Sequence, residues 1–253
     1  MRPTSEWFRE APLVIAHRGA SSRAPENTIE AFRLAAELGA DAVELDAKLS
    51  ADGRVFVFHD QTLDRLAGLP GRPGDRTWVE LQRLDVGSWK SPAYRGARIP
   101  LLEEVLEEVG NRLLVNIELT NYPSPNDDLV ERAIEVVKAA GMTARVLFSS
   151  FFRSNLKRAR ALAPDIALAH LVGPTRLGAI DVLHGPRVES DALNVYQGMV
   201  TRWLVRRTQR QGRRVFVYTV NHIARLRAMW ALGADGVITD KPDLAIESLR
   251  HAT

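Results

Sequence analysis

The chain of 253 residues contains no cysteine. This absence excludes disulfide bonds, thiolate metal sites and cysteine nucleophiles. No apolar run approaches the length that crosses a bilayer, and the first residues, Met1 to Trp7, lack the apolar core of a secretory signal. Together these absences favour a cytoplasmic protein without a stable membrane anchor, although the lack of cysteine alone would also suit an exported protein.

Lysine is also scarce, because the chain contains only five lysines but 29 arginines. The densest basic run lies between Arg202 and Arg214, in a chain whose formal net charge is +3. We interpret this run first as the solvated face and end of a helix, and alternatively as an attraction for anionic substrates or membrane surfaces. No recognition motif accompanies the charge, so no nucleic-acid partner is expected.

Strand-like and helix-like stretches alternate along the chain. The strand candidates are residues 13–17, 42–48, 55–58, 113–119, 145–149, 166–171, 193–196, 214–219 and 235–239. The helix candidates are residues 27–38, 101–109, 127–140, 153–161, 200–210, 222–231 and 243–249. This alternation predicts parallel strands joined by crossover helices.

The strand count favours a (β/α)8 TIM barrel, because eight strands remain when 55–58 is taken as an extension of the second strand. An open doubly wound sheet is the alternative, but no Gly-x-Gly-x-x-Gly turn follows the first strand. The length fits one barrel domain over residues 1–253. The Gly- and Pro-rich segment 60–99 interrupts the alternation and is predicted to be a small insertion within that domain.

An internal echo supports repeated βα units. Residues 38–46 resemble residues 232–240. In each copy a helix is expected to end at a glycine, and a short strand then ends in an aspartate.

Ionisable side chains stand near the ends of several predicted strands. His17 ends the first strand, and Glu44 and Asp46 share one face of the second because residues two apart on a strand point the same way. His59 and Glu118 lie near further strand ends, and barrel enzymes place their sites at the carboxyl ends of strands. The three carboxylates form an oxygen ligand set suited to Mg²⁺ or Ca²⁺. The alternative for each carboxylate is an ion pair with an arginine.

The two histidines can face one another across the barrel mouth. One of them could accept a proton from the attacking group while the other protonates the leaving oxygen, and metal ligation by histidine is the less favoured alternative. Arg18 is suited to a bidentate clamp on a phosphate, with a surface salt bridge as its alternative. Glu26 and Asn27 could point into the site, although Asn27 or Thr28 could also simply cap the first helix.

Taken in chain order, these motifs resemble the glycerophosphodiester phosphodiesterase family. The matching segments are His17-Arg18-Gly19, Pro25-Glu26-Asn27-Thr28, Glu44-Leu45-Asp46, Asp52-Gly53, His59-Asp60, Asn116-Ile117-Glu118, Thr219-Val220-Asn221 and Gly236 to Pro242. The resemblance implies a (β/α)8 barrel that uses a divalent cation to hydrolyse glycerophosphodiesters to glycerol 3-phosphate and an alcohol. It also implies that His17 and His59 form an acid/base pair. Glu44, Asp46 and Glu118 would be the metal ligands, and Arg18 would bind the phosphate.

One departure from the family pattern concerns Thr120, where family members often carry a lysine on the same strand face as the third carboxylate. The departure predicts that a positive group beside the phosphate is missing. Tyr218 stands where tryptophan is frequent, so an aromatic wall of the pocket is expected to persist. Two alternatives stay open, namely a lysophospholipase D-like phosphodiesterase and a non-catalytic phosphate-binding barrel. The expected substrate-binding residues are Arg18, Glu26, Asn27, Thr120 and Tyr218.

Overall fold

The computed structural model describes residues 5–9, 12–184 and 188–250. The predictions that involve the chain ends, namely the absence of a signal in Met1 to Trp7 and a single domain over 1–253, fall partly on residues 1–4 and 251–253, which lie outside the described residues. No helix in the described ranges combines the length and the apolar character that a membrane crossing requires.

The architecture is a closed parallel barrel, which confirms the predicted (β/α)8 fold class. The nine strands of the described chain are β1 (Leu13–His17), β2 (Ala42–Leu49), β3 (Val55–Val57), β4 (Leu114–Leu119), β5 (Val146–Ser150), β6 (Ala167–Val172), β7 (Ala192–Tyr196), β8 (Arg214–Tyr218) and β9 (Gly236–Thr239). All except β3 pair in parallel in the order β1-β9-β8-β7-β6-β5-β4-β2, and the pairing of β1 with β2 closes the ring.

The prediction that 55–58 extends the second strand is wrong, because β3 runs antiparallel to β2 with Leu49 opposite Val55. The chain reverses through a turn in which Gly53 has a φ of 80°, a conformation that suits glycine. The reversal brings the chain back along β2, where the Phe58 amide donates to the Asp46 carbonyl at 2.9 Å. This hairpin therefore returns the chain to Asp46, so that His59, the next residue after Phe58, lies near that carboxylate.

Ten helices flank or extend the barrel in the described ranges. They are α1 (Ile29–Glu37), α2 (Asp64–Ala67), α3 (Trp78–Leu81), α4 (Leu102–Val109), α5 (Leu129–Ala139), α6 (Arg153–Leu162), α7 (Arg176–His184), α8 (Arg202–Arg210), α9 (Ile223–Leu232) and α10 (Pro242–Arg250). The sequence predicts no helix at α7, whose interior contains Gly178, a poor helix former. A Cβ at Gly178 would lie 2.1 Å from the carbonyl oxygen of Gly173, so close packing requires glycine there.

The inner face of the barrel changes character along its axis. Its lower part is apolar and is formed by Ile15, Ala42, Leu114, Leu147, Phe216 and their neighbours. Trp7 packs against this layer, and its indole donates to the Arg145 carbonyl at 3.0 Å. Towards the carboxyl ends, the same strand faces continue from Ile15 to His17 and from Ala42 to Glu44 and Asp46. Because strand residues two apart share a face, the barrel has an apolar floor and a polar mouth.

The 60–99 segment packs against β3 and its flanking residues through a small hydrophobic core. That core contains Phe56, Phe58, Leu63, Leu66, Leu81, Val86, Ile99 and Leu101. Lys90 Nζ donates to the Ser21 carbonyl at 2.7 Å, and the Tyr94 hydroxyl donates to the Arg23 carbonyl at 3.1 Å. The insertion thus supports the loop that follows β1, which carries several of the candidate site residues.

Candidate active site

Three carboxylates converge at the polar mouth of the barrel. Glu44 and Asp46 lie two residues apart on β2, and the β2–β4 register places Asp46 opposite Glu118. One oxygen of each carboxylate lies within 4.8 Å of the other two. Glu44 is 4% exposed and Asp46 1% exposed, so water screens their charges weakly.

The three carboxyl groups differ in how firmly they hold a proton. Burial, followed by the charges of Asp46 and Glu118, raises the pKa of Glu44 well above its usual value. Burial, followed by the charge of Asp46, raises the pKa of Glu118 to about 8. Burial also acts to raise the pKa of Asp46, but the charges of Arg18 and His59 outweigh it and lower that pKa. Asp46 is therefore the ionised member of a crowded group.

This cluster fits a hard divalent cation. All its donors are carboxylate oxygens, the ligands that Mg²⁺ and Ca²⁺ prefer. Burial, followed by the like charge of Asp46, raises the pKa values of Glu44 and Glu118, and a bound cation would favour the ionised form of both groups. The structure thus brings together the three residues that the sequence predicts as metal ligands.

A second acidic group is less suited to a cation. Ligand atoms of Glu26, His59 and Asp60 also lie within 4.8 Å of one another. Arg65, however, donates to both carboxylates at 2.7 to 2.9 Å. A cation at this position would have to displace a guanidinium that already neutralises both groups.

His17 is oriented by the carboxylate of Asp240, the residue that directly follows the last strand of the barrel. Its Nδ1 lies 2.6 Å from Asp240 Oδ1, and its Nε2 lies 3.9 Å from Glu44 Oε2. Asp240 is held in turn by the side chains of Ser21, at 3.1 Å, and Asn221, at 2.5 Å. This arrangement fixes the ring and leaves Nε2 directed at the carboxylate cluster.

His59 is paired in the same way with its neighbour in sequence. Its Nδ1 lies 2.8 Å from Asp60 Oδ1. Burial opposes ionisation of Asp60, but hydrogen bonds from Arg65 and His59 outweigh it and lower the pKa of Asp60 to about 2. The His59 side chain is 42% exposed, whereas that of His17 is 19% exposed. The His59 ring therefore approaches the site from the solvent side, and the His17 ring approaches it from the barrel wall.

Arg18 lies among the carboxylates rather than on the surface. Its backbone amide donates to Glu44 Oε2 at 3.1 Å, its Nη1 donates to Glu26 Oε1 at 2.8 Å, and its Nε lies 3.2 Å from Asp46 Oδ2. Arg18 has a φ of 55°, which is uncommon for a residue with a side chain and typical of strained functional positions. The backbone conformation thus directs the guanidinium into the cluster.

Asn27 supports the cluster and does not cap the first helix. Its Nδ2 donates to Asp46 Oδ2 at 2.9 Å, and its φ of 57° lies in the left-handed region. The cap of α1 is Thr28, whose hydroxyl accepts from the Ala31 amide at 3.3 Å. Helix α1 therefore begins at Ile29, two residues later than the sequence predicts.

A cavity of about 250 Å³ opens beside these groups. It is lined by His17, Arg18, Glu44, His59, Asn116, Glu118, Tyr122, Ser149, Phe151, Leu171, Asn194, Tyr218, Thr219 and Ile238. One wall is aromatic, because the Phe151 ring packs edge-on against both Tyr122 and Tyr218. Tyr218 thus lies in the wall where the sequence predicts it, and its hydroxyl donates to the Val172 carbonyl at 3.1 Å.

Thr120 faces a neighbouring cavity of about 210 Å³ that is also lined by Lys48. Its hydroxyl donates to the Ala47 carbonyl at 2.7 Å, so the side chain is already engaged. The Lys48 ammonium from β2 reaches the Thr120 carbonyl at 3.4 Å. A lysine charge is therefore present next to position 120, but another strand supplies it.

Sequence reasoning missed the residues that hold the histidines and Glu118 in place. Asp240 was detectable, because the internal echo aligns it with Asp46 at the end of an equivalent strand. Arg65 and Tyr122 carry no such signal. Arg65 reaches the site from the insertion, and Tyr122 donates its hydroxyl to Glu118 from the loop after β4.

Comparison with known protein families gives one match that spans the whole site. A model described as the glycerophosphoryl diester phosphodiesterase family matches residues 17–244. A glycerophosphodiester phosphodiesterase of Caldanaerobacter subterraneus subsp. tengcongensis is 36% identical over 240 residues, which are 94% of this chain and 98% of the relative. One of Bacillus altitudinis is 35% identical over 243 residues, covering 92% of this chain and 96% of the relative.

Solved structures give the same result for the fold. A phosphodiesterase of Oleispira antarctica, in complex with the product sn-glycerol-3-phosphate, matches with a TM-score of 0.86 and 31% sequence identity. The match covers 95% of this chain and 97% of that structure.

Proposed function

The chain belongs to the glycerophosphoryl diester phosphodiesterase family, and we propose that it uses a divalent cation and a histidine pair to hydrolyse glycerophosphodiesters to glycerol 3-phosphate and an alcohol. The observation that carries this proposal is the cluster of Glu44, Asp46 and Glu118 beside two histidines that are each bonded to a carboxylate. The product bound to the Oleispira relative supports the choice of glycerol 3-phosphate.

Glu44, Asp46 and Glu118 would hold the cation. When bound, Mg²⁺ or Ca²⁺ supplies charge neutralisation at the phosphate and lowers the pKa of an attacking water or substrate hydroxyl. Arg18 donates to the phosphate oxygens, a pairing for which a guanidinium is well shaped. Glu26 bonds Arg18 on one side and Arg65 on the other, so it fixes the direction of the guanidinium.

The histidines move the protons. One ring takes a proton from the attacking water as its oxygen bonds to phosphorus, and the other gives a proton to the alcohol oxygen as its bond to phosphorus breaks. If a substrate hydroxyl attacks instead, the alcohol leaves a cyclic phosphodiester that water opens in a second step, so the net reaction adds one water in either case. Asp240 and Asp60 each accept from Nδ1 of a ring, which leaves both Nε2 atoms for the substrate. Tyr122 donates to Glu118 and holds that carboxylate at the cluster.

For the domain organisation and the cellular location we keep the proposals made from the sequence. A single domain carries the 60–99 insertion, and the composition favours the cytoplasm. A lysophospholipase D-like activity is the second candidate, because the aromatic wall formed by Phe151 and Tyr218 offers an apolar surface to a lipid chain.

Release of choline or ethanolamine from defined substrates tests the proposal, because the alcohol is set free whether the other product is glycerol 3-phosphate or a lysophosphatidic acid. With Mg²⁺ or Ca²⁺ added, we expect release from glycerophosphocholine and glycerophosphoethanolamine, and little cleavage of lysophosphatidylcholine. Faster cleavage of lysophosphatidylcholine would favour the second candidate. A complete lack of product from all three substrates with either cation would leave a phosphate-binding barrel without catalysis.

The role of Asp240 in orienting His17 gives a further prediction. In Asp240→Asn, the amide keeps the shape of the side chain but removes the negative charge that stabilises a protonated ring. We expect kcat to fall about 10²-fold or more, in the range of general acid–base effects, with an altered pH profile of kcat/KM. Asp243→Asn is the matched control, since Asp243 pairs with Arg23 on the exposed side of α10. Equal profiles for Asp240→Asn and the parent would exclude this positioning role.

A further inference from the structure

We propose that Lys48 is a phosphate-positioning residue of this enzyme. Its side chain, which comes from β2, supplies a positive charge next to Thr120, a residue without charge at the end of β4. The inference rests on the proposed phosphodiesterase function and adds a residue to its substrate site.

Strand alternation places Lys48 on the functional face of β2. Glu44, Asp46 and Lys48 are each two residues apart and therefore share one face, whereas Ala47 packs into the core between barrel and helices. Lys48 is 6% exposed. Its position continues the row of the two candidate metal ligands by one step toward the mouth of the barrel.

The β2–β4 pairing brings Lys48 beside position 120. Ala47 stands opposite Leu119, and the Thr120 amide donates to the Ala47 carbonyl at 3.1 Å. Neighbouring strands lie about 4.8 Å apart, and a lysine has a flexible four-carbon stem. The Lys48 ammonium crosses this gap and reaches the Thr120 carbonyl at 3.4 Å. A lysine on either strand can therefore bring its charge to the same place.

The carboxylates around Lys48 belong to the active site, and the like charge of Arg72 opposes their attraction for its ammonium. The carboxylates that act on its ammonium are, in order, Asp46, Glu118 and Asp60. Among the ion pairs of the described residues, none joins Lys48 to a carboxylate within 4.0 Å. A buried ammonium is costly unless it is paired. The carboxylate cluster attracts the Lys48 ammonium, but the direct contact of that ammonium is the long hydrogen bond to the Thr120 carbonyl. Its other N–H groups can therefore donate to an anionic group of the substrate.

Lys48 lines a cavity that neighbours the one lined by His17, Arg18 and Glu118, so its ammonium approaches the phosphate from beside the active-site cavity. The lining of this cavity of about 210 Å³ mixes apolar and polar groups, and besides Lys48 and Thr120 it includes the cation Arg72 and the carboxylates Asp75 and Asp127. A phosphodiester has two non-bridging oxygens, and one guanidinium from Arg18 leaves part of their hydrogen-bonding capacity unused. Lys48 approaches from the β2 side, whereas Arg18 approaches from the loop after β1.

The test moves the lysine from one strand to the other. Titration of glycerol 3-phosphate into Lys48→Met, at a saturating cation concentration and two salt levels, should show binding about tenfold to a hundredfold weaker than in the parent, as expected for a lost charged hydrogen bond. The salt dependence of binding should also decrease. The double variant Lys48→Met/Thr120→Lys should recover most of the affinity, because it restores the charge from β4.

Two further proteins complete the experiment. Lys138→Met is the matched control and should bind like the parent, since Lys138 is exposed on α5 and its ammonium likewise donates to a backbone carbonyl. Lys48→Gln keeps a polar end for the Thr120 carbonyl and should show the same loss, so it replaces Lys48→Met if that variant does not fold.

The outcomes separate this inference from the proposed function. If the parent releases glycerol 3-phosphate but Lys48→Met or Lys48→Gln binds it as tightly as the parent, Lys48 does not position the phosphate. The inference also fails if Thr120→Lys does not restore the affinity for glycerol 3-phosphate and the Lys48 variants bind the cation itself more weakly in a titration with the metal alone. A parent that cleaves no glycerophosphodiester would instead contradict the proposed function.

Discussion

The variants His17→Ala and His59→Ala should each reduce kcat on a glycerophosphodiester by about 10²–10⁴-fold, the usual range for loss of a general acid or base. Each ring presents Nε2 to the substrate because a carboxylate holds its Nδ1. Both variants should fold, since the two histidines lie at strand ends and outside the hydrophobic clusters that stabilise the barrel. Steady-state kinetics together with thermal unfolding checks both points.

A substrate with a good leaving group distinguishes the acid from the base. An ester of glycerol phosphate with p-nitrophenol needs little protonation of the departing oxygen, so the variant that lacks the general acid should recover most of its rate on this substrate. The variant that lacks the base should stay slow on both substrates. Recovery of one histidine variant and not the other assigns the two roles.

His222→Ala is the control for this pair, because His222 is an exposed residue at the start of α9 and should leave kcat unchanged. If His59→Ala keeps a kcat near that of the control on both substrates, His59 takes no part in proton transfer. The same result for His17→Ala would remove the functional reason for the Asp240 contact.

Much of the barrel was readable from the sequence because parallel strands and their helices have local signals. Each of the eight barrel strands begins within one residue of its predicted start. The candidate ligands were readable for the same reason, since a two-residue spacing such as that of Glu44 and Asp46 fixes a shared face without knowledge of the partners.

The features that were missed depend on contacts between distant segments. The direction of β3 is set by its pairing with β2, and α7 contains a glycine that only the approach of Gly173 explains. Lys48 was overlooked for a related reason. Its own strand does not show that its ammonium lies against residue 120, because only the β2–β4 register places the two side by side.

The site also contains backbone conformations and charge contacts that are unfavourable in themselves. Arg18 and Asn27 have positive φ angles of 55° and 57°, and three carboxylates are crowded with their oxygens within 4.8 Å. Such conflicts are typical of positions kept for function rather than for stability. They imply that some substitutions which destroy activity should make the cation-free protein more stable.

Glu118→Gln and Asp46→Asn should both lower kcat/KM by about 10²-fold or more through loss of the cation, but they should change stability in opposite directions. Glu118 has a pKa of about 8 in the folded protein and a usual value of 4.5. Between these values the folded state holds a proton that the unfolded state has released. The stability of the cation-free parent therefore falls as the pH rises from about 4.5 to about 8.

Glutamine at 118 removes that proton equilibrium and still accepts from Tyr122, so the cation-free variant should be more stable than the parent near pH 8, by on the order of 1 kcal/mol. Asp46 behaves in the opposite way, because its pKa is lowered by Arg18 and its charge stabilises the fold above its usual pKa. Asp46→Asn leaves Arg18 without that partner and should cost about 1–3 kcal/mol near neutral pH.

Denaturant unfolding at several pH values, with and without Mg²⁺ or Ca²⁺, measures these effects together. For the parent, a cation at 100 times its Kd should add about 2.7 kcal/mol of stability, whereas both variants should lose most of this gain. Glu135→Gln, at an exposed position on α5, is the matched control and should keep it. A cation that stabilises Glu118→Gln as much as the parent would show that Glu118 is not a ligand. Destabilisation of cation-free Glu118→Gln near pH 8 would show that the crowded carboxylates are not the source of the strain.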